Sequence, residues 1–252
     1  MRNYEEETTK RVKWIQEVIK KSGATGVIFG ISGGKDSALV GILCKKATEH
    51  VLGVMMPCSL AQNFGADIKH SNLLAETFSI PATTVDLSQA YETLLQAIST
   101  KGQPTAKAKI NIGPRLRMTT LYTIGQSMHY LVAGTDNLSE TYMGYFTKWG
   151  DGAYDFNPIA DLTVTEIIEF LNYLQCPKEI TEKPPSAGLY EGQTDEEEMG
   201  VTYKAIDMFI KTGKGNEEDI RKINKAHSIS EHKRNMPIMY PEGGYANEKN
   251  RP

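Results

Sequence analysis

A chain of 252 residues, 40% of them hydrophobic, is long enough to bury one sizeable core, and a net charge of −3 leaves no basic footprint for nonspecific nucleic-acid binding. No stretch approaches the ~20 apolar residues of a membrane span. The charged start MRNYEEETTKRVKW has no apolar core of a secretory leader, and three cysteines (Cys44, Cys58, Cys176) in an odd count without metal-ligand spacing suit a reducing cytoplasm.

Residues 4–21 place Val12, Ile15, Val18 and Ile19 at helical spacing, which predicts an amphipathic opening helix. A β-branched and aromatic run at 27–31 predicts a buried strand, followed by a glycine turn and a helix through Leu39, Val40, Ile42 and Leu43. Residues 51–56 form a second strand, completing a βαβ unit. A helix over 66–78, a strand at 83–85 and a helix over 88–98 follow. The stretch 101–114, rich in Lys, Gly and Pro, is expected to be a mobile loop. A helix over 115–128 leads to a fourth strand at 130–133. A long glycine- and aromatic-rich loop then reaches a fifth strand near 154–159. Thr163 and Glu166 form a capping box for a helix over 164–174. The turn-rich, acidic stretch 181–198 precedes helices near 202–212 and 217–227, and residues 241–252 read as a flexible tail of a single domain spanning 1–252. The alternation predicts an α/β fold, a doubly wound five-stranded parallel sheet with helices on both faces. Ligands bind such sheets where the strand order reverses, so the loops after strands one and four are expected to meet.

The first of those loops is SGGKDS, residues 32–37. Glycines let the backbone approach an anion, and the helix start supplies free N–H groups and a positive dipole end. Two familiar glycine loops fail. Gly30 to Lys35 is one residue short of a Walker A loop, with Asp36 where its hydroxyl belongs, and no dinucleotide G-x-G-x-x-G spacing is present. The bland alternative is a connector whose glycines serve only the turn. A carboxylate inside a phosphate loop instead calls for a divalent cation between the two. SGGKDS therefore points to a pyrophosphate or triphosphate with Mg²⁺ held by Asp36. The hexapeptide resembles the signature loop of the N-type ATP pyrophosphatases. The loop after strand four gathers Thr135, Glu140, Lys148, Asp151 and Asp155 within 21 residues. Glu140 is a candidate second metal ligand, and Lys148 a candidate to neutralise a phosphate or carboxylate.

SGGKDS, NIGPRLRM (111–118), AGTDNLSE (133–140), GYFTKWGDGAYDFNP (144–158), KPPSAGLYEGQTDEEEMGVTY (183–203) and SEHKRNMP (230–237) resemble, in that order, the motifs of ammonia-dependent NAD synthetases. The resemblance implies a Rossmann-like fold and a homodimer with deamido-NAD bound between subunits. The opening helix and the 115–128 helix are the candidate contacts. It also implies ATP-dependent amidation of deamido-NAD by ammonia through an adenylated intermediate, giving NAD, AMP and pyrophosphate. By motif position it assigns Gly30, Ile31, Ser32, Gly33, Gly34, Lys35, Asp36, Ser37, Thr135 and Ser186 to ATP. Arg115, Lys148, Asp155, His232 and Lys233 go to deamido-NAD, and Asp36 and Glu140 to Mg²⁺. Asp151 is the candidate base that delivers neutral ammonia. Two family cations are missing: Val164 stands where many members carry Lys, and Met55 where many carry Arg. The length leaves no room for a glutaminase domain, so free ammonia is the expected nitrogen donor. The rival readings are an RNA-modifying pyrophosphatase-loop enzyme, which the net charge disfavours, and a nucleotide sensor without turnover, which Asp36 and Glu140 disfavour.

Overall fold

The computed structural model describes residues 2–58, 65–183 and 194–240; the predicted tail, Ser186 and much of the 181–198 stretch lie outside the described residues. The opening helix α1 (Tyr4–Ser22) starts where the Asn3 side chain accepts the Glu6 amide. Acidic residues fill its first turn and lysines its last, matching the helix dipole. Then come β1 (Gly26–Gly30), α2 (Lys35–Ala47), β2 (Val51–Met55), α3 (Ala66–Phe78), β3 (Ala82–Thr84) and α4 (Ser88–Ser99). The middle of the chain supplies α5 (Ala106–Ile110), α6 (Ile112–Met128), β4 (Tyr130–Val132) and α7 (Leu138–Met143). The remainder is helical: α8 (Val164–Tyr173), α9 (Lys178–Thr181), α10 (Asp195–Met199), α11 (Tyr203–Thr212), α12 (Glu217–Ile229) and α13 (Glu231–Arg234).

The sheet is parallel, in the order β3-β2-β1-β4, with Val27 paired to both Val51 and Leu131. Its central strand is buried on both faces. Val27, Phe29 and Ile31 pack with Leu39 and Leu43 of α2 and with Ile167 and Phe170 of α8. Ile28 and Val54 join the opposite cluster, under Leu121 of α6. That two-sided burial is why β1 reads as an unbroken apolar run. A third cluster, around Ile206 and Ile223, ties α11 and α12 to Met143 of α7.

Three expectations are corrected. The sheet has four strands among the described residues, not five. The stretch near 154–159 makes only one parallel bridge, Ala133 to Phe156. The chain leaves the sheet there because Asp155 Oδ2 accepts the Val132 amide at 2.8 Å, and because Asn157 turns the backbone, accepting the Ile159 amide at 2.9 Å. The stretch 101–114 is partly helical: Thr105 caps α5, and Pro114 sits in the first turn of α6, where a missing amide costs nothing. The loop after strand four contains α7, started by a capping box between Asn137 and Glu140.

The predicted box at Thr163 and Glu166 is present, and Glu166 is a structural hub. Its Oε2 accepts the Thr163 amide at 3.0 Å, while Arg2 Nε and Lys211 Nζ reach Oε1 at 3.0 and 3.1 Å. Burial pushes this carboxyl up, but the Thr163 amide, Arg2 and Lys211 outweigh it and hold it below its usual range. An acid with a depressed folded-state pKa contributes stability above the ordinary carboxylate range. That contribution fades as pH falls below about 4.3 toward the folded value. Glu166→Ala is expected to destabilise the fold by about 1–3 kcal/mol at neutral pH, read by urea unfolding. The loss should shrink in acid, and a pH-independent difference would contradict the ion-pair account.

Candidate active site

The switch point of the sheet lies between β1 and β4, and both loops open there onto one cavity of about 450 Å³. On the β1 side, Gly33 adopts φ +73°, and a Cβ on it would lie 2.5 Å from the Asp67 carbonyl oxygen of α3. Only glycine fits that turn. Ser32 and Ser37 brace it with hydroxyl oxygens 3.0 Å apart, and Ser37 Oγ donates to the Gly34 carbonyl at 3.0 Å. Helix α2 begins at Gly34 with no side-chain cap, so its first amides remain available to an anion. Lys35 is buried and donates to the Lys183 carbonyl, while Lys183 pairs with Asp67 at 2.7 Å. Burial pulls the Lys35 ammonium down, and Lys183 adds to this against the opposing pull of Asp36, Asp195 and Glu140.

The β4 side is acidic. Asp36 Oδ1 accepts a hydrogen bond from Asn137 Nδ2 at 3.0 Å, which joins the two loops directly. Asn137 is fully buried as the cap of α7, and its own amide is 3.2 Å from Glu140 Oε2. Burial raises the Glu140 carboxyl well above its usual range, and the charges of Asp36 and Asp136 raise it further. Asp136 is shifted the same way by burial, Asp151 and Asp36. Asp151, on the wall formed by the 147–151 turn, accepts the Thr147 amide at 2.9 Å. Burial raises it too, despite hydrogen bonds from the turn and the charge of Arg117. Four carboxyls crowded into one pocket repel one another unless a cation joins them. No three His, Cys, Asp or Glu side chains among the described residues are grouped so as to hold a metal ion alone.

Of the remaining sequence candidates, Gly30, Ile31, Ser32, Gly34, Ser37 and Thr135 line this cavity, as does Lys233. Lys233 Nζ donates to the Gly144 and Phe146 carbonyls, both at 2.7 Å. Arg115, Lys148 and His232 form a chain of contacts outside the cavity wall: Arg115 Nη2 lies 3.3 Å from the Lys148 carbonyl, and Lys148 Nζ donates to the His232 carbonyl. Asp155 stands apart, tied by the Val132 amide and by Tyr122 Oη at 3.3 Å.

The NAD synthase family model matches residues 7–237. The chain belongs to the NAD synthase family. The NH3-dependent NAD⁺ synthetase of Carboxydothermus hydrogenoformans is 44% identical over 238 residues, covering 93% of this chain and 97% of that protein. Among solved structures, an NMN synthetase from Francisella tularensis superposes with a TM-score of 0.88 at 36% identity, covering 96% of this chain and all of that one. The NH3-dependent NAD synthetase of Campylobacter jejuni, solved with a nitrate ion, gives 0.78 at 28% identity over 95% of this chain and all of that one.

This NAD synthase family member also lines its cavity with groups the sequence reading did not assign: Arg117, Lys183, Asp136 and Asp195. Arg117 Nε donates to the Met56 carbonyl at 3.0 Å, so a guanidinium stands at the end of β2 beside Met55. Asp195 accepts from Tyr203 Oη at 2.9 Å, deep in the wall. Asp136 and Asn137 sit inside the GTDN motif and were within reach of the sequence. Arg117 and Lys183 also lie inside quoted motifs, but their place on the cavity is set by helix faces and chain crossings, which the sequence does not spell out.

Proposed function

We propose that this chain amidates deamido-NAD with ammonia at the expense of ATP, releasing NAD, AMP and pyrophosphate. One observation carries the reading: the Asp36–Asn137 hydrogen bond and the Glu140 box bring two carboxylates, Asp36 in the first turn of α2 and Glu140 in that of α7, to the cavity that the open amides of α2 also face. The uncapped start of α2, Gly34, Lys35 and Ser37 would hold the triphosphate. Thr135, and Ser186 by motif, complete the ATP side. Asp36 and Glu140 fit Mg²⁺, which takes one or two carboxylates together with substrate phosphates and water, and so needs no third acid ligand. When bound, Mg²⁺ supplies charge to offset that building on the departing pyrophosphate. The carboxylate of deamido-NAD attacks the α-phosphorus of ATP; a new P–O bond forms as the bond to pyrophosphate breaks. Asp151 takes a proton from ammonium, the neutral ammonia attacks the acyl carbon, and the C–O bond to AMP breaks as the amide's surplus proton passes to water. Lys35 and Lys183 sit beside the leaving group, and Arg115, Lys148, Asp155, His232 and Lys233 serve the deamido-NAD side. The chain acts as a single domain within a homodimer, with α1 and α6 as the contact candidates. Its three buried cysteines suit the reducing cytoplasm in which we place it. No helix among the described residues is long and apolar enough to cross a membrane.

A second reading has its own support. The similarity to the Francisella NMN synthetase favours nicotinate mononucleotide as the acid that is amidated. One assay separates the readings: ATP labelled at the α-phosphate, Mg²⁺, ammonium and either acid nucleotide. AMP with NAD supports the first reading, and AMP with NMN from a far better mononucleotide substrate supports the second. ADP and orthophosphate would refute both. Light scattering of the same sample at a single chain's mass would remove the dimer.

A further inference from the structure

We propose that Lys107 is a binding residue for the acid nucleotide, forming with Lys233 a two-lysine clamp on one of its phosphates. This assignment rests on the synthetase reading above. Lys107 lies on the short helix α5, within the stretch expected to be loop, and its side chain lines the same cavity as Lys233. The position is fixed from both ends. Thr105 Oγ1 accepts the Ala108 amide at 3.2 Å, and Asn111 Oδ1 accepts from Thr147 Oγ1 at 2.9 Å, tying α5 to the turn that carries Asp151.

The two ammonium groups differ in what they still lack. Lys233 has three N–H donors and uses two of them on the Gly144 and Phe146 carbonyls, which leaves one for a ligand. Lys107 is exposed, and its ammonium has no hydrogen-bond or ion-pair partner among the described residues. They also repel each other. Burial first, then the charge of Lys107, holds the Lys233 ammonium below its usual range; Asp151 opposes this and Arg234 adds to it. An anion between the lysines turns that repulsion into two attractions.

The anion belongs to the acid nucleotide because ATP phosphates are served elsewhere. The amides of α2, Lys35 and Lys183 lie on the β1 side of the cavity, whereas α5, Lys233 and the 147–151 turn form the other side. Attack on the α-phosphorus brings the second substrate's carboxylate to the centre. Its phosphate then trails toward the mouth, where Lys107 is exposed. A phosphate group lies on that path in both deamido-NAD and nicotinate mononucleotide, so the clamp serves either substrate.

The test is calorimetric titration of deamido-NAD, nicotinate mononucleotide and ATP, each separately, into the wild-type protein, Lys107→Ala and Lys107→Arg. Lys107→Ala is expected to weaken the preferred acid nucleotide roughly 10- to 100-fold, the weight of a charged hydrogen bond, with ATP shifted less than about twofold and Lys107→Arg largely restored. Unchanged acid-nucleotide affinity in Lys107→Ala, or an equal loss for ATP, would overturn the clamp. Wild-type protein that binds an acid nucleotide but forms no AMP would remove the synthetase reading and leave the clamp standing. Wild-type protein that binds neither nucleotide overturns both.

Discussion

Asp36→Asn and Glu140→Gln are each expected to lower kcat by about 10³-fold or more while leaving the protein as stable as before, or more so. The loss follows from charge: each substitution keeps the shape and removes one of the two carboxylates proposed to hold the cation beside the pyrophosphate, an electrostatic contribution of that general size. The stability expectation follows from burial. Desolvation raises the Asp36 carboxyl against the hydrogen bond from Asn137 and the charge of Lys35, and Glu140 is raised further by Asp36 and Asp136. An acid whose folded-state pKa is raised destabilises the fold once ionised, so the neutral isostere relieves strain at pH 7. Both amides retain an oxygen for the existing partners, Asn137 Nδ2 and the Asn137 backbone amide. Thermal unfolding should therefore hold or rise, by roughly 2–4 °C for each kcal/mol relieved. Full turnover in either variant would remove the metal argument. A large fall in Tm would show instead that these carboxylates hold the fold together.

That pairing of function with instability also explains which parts of the molecule the sequence revealed. The run at 27–31, the SGGKDS turn and the helix behind it are a local unit; the structure places β1 within one residue of the reading, and α2 contains the apolar positions Leu39, Val40, Ile42 and Leu43. The meeting of the loops after strands one and four followed from a topological rule, and the Asp36–Asn137 contact realises it across 101 residues of sequence. What escaped was decided by competition. Tyr154 and Phe156 alternate like a strand, but the Asp155 carboxylate takes the Val132 amide and Asn157 turns the backbone. The 101–114 stretch looked like punctuation because Gly and Pro are breakers in a helix interior, yet Pro114 falls in a first turn, where Pro is tolerated. Glu140 was read only as a metal ligand, although N-x-x-E also starts a helix; the structure uses it as a cap as well. Arg117 and Lys183, though inside quoted motifs, drew no role because nothing in a single sequence says which helix face or chain crossing meets a cavity.

Gly33→Ala is expected to abolish ATP binding at millimolar ligand and to destabilise the protein by about 2–5 kcal/mol. An L-residue at φ +73° costs roughly 1–2 kcal/mol, and forcing a methyl group into a packed contact adds about 1–3. The obstruction is backbone: the new Cβ would meet the Asp67 carbonyl at 2.5 Å and the His70 Cβ at 3.1 Å, so no rotamer change relieves it. Either the loop or α3 has to move. Moving α3 pulls on the Asp67–Lys183 pair and on the 3.1 Å hydrogen bond from Ser71 Oγ to the Ile31 carbonyl. Moving the loop turns the first amides of α2 away from the triphosphate. Gly34→Ala is the internal control. Its nearest obstacle is Ser32 Oγ at 3.3 Å, a side chain that can yield, and the backbone there is extended at φ −94°. Gly34→Ala should therefore unfold within about 1 kcal/mol of the wild type. Denaturant unfolding and ATP titration on the pair settle the matter: if Gly33→Ala matches the wild type in both, the turn does not need its left-handed glycine and the loop is not the rigid phosphate cradle argued for here.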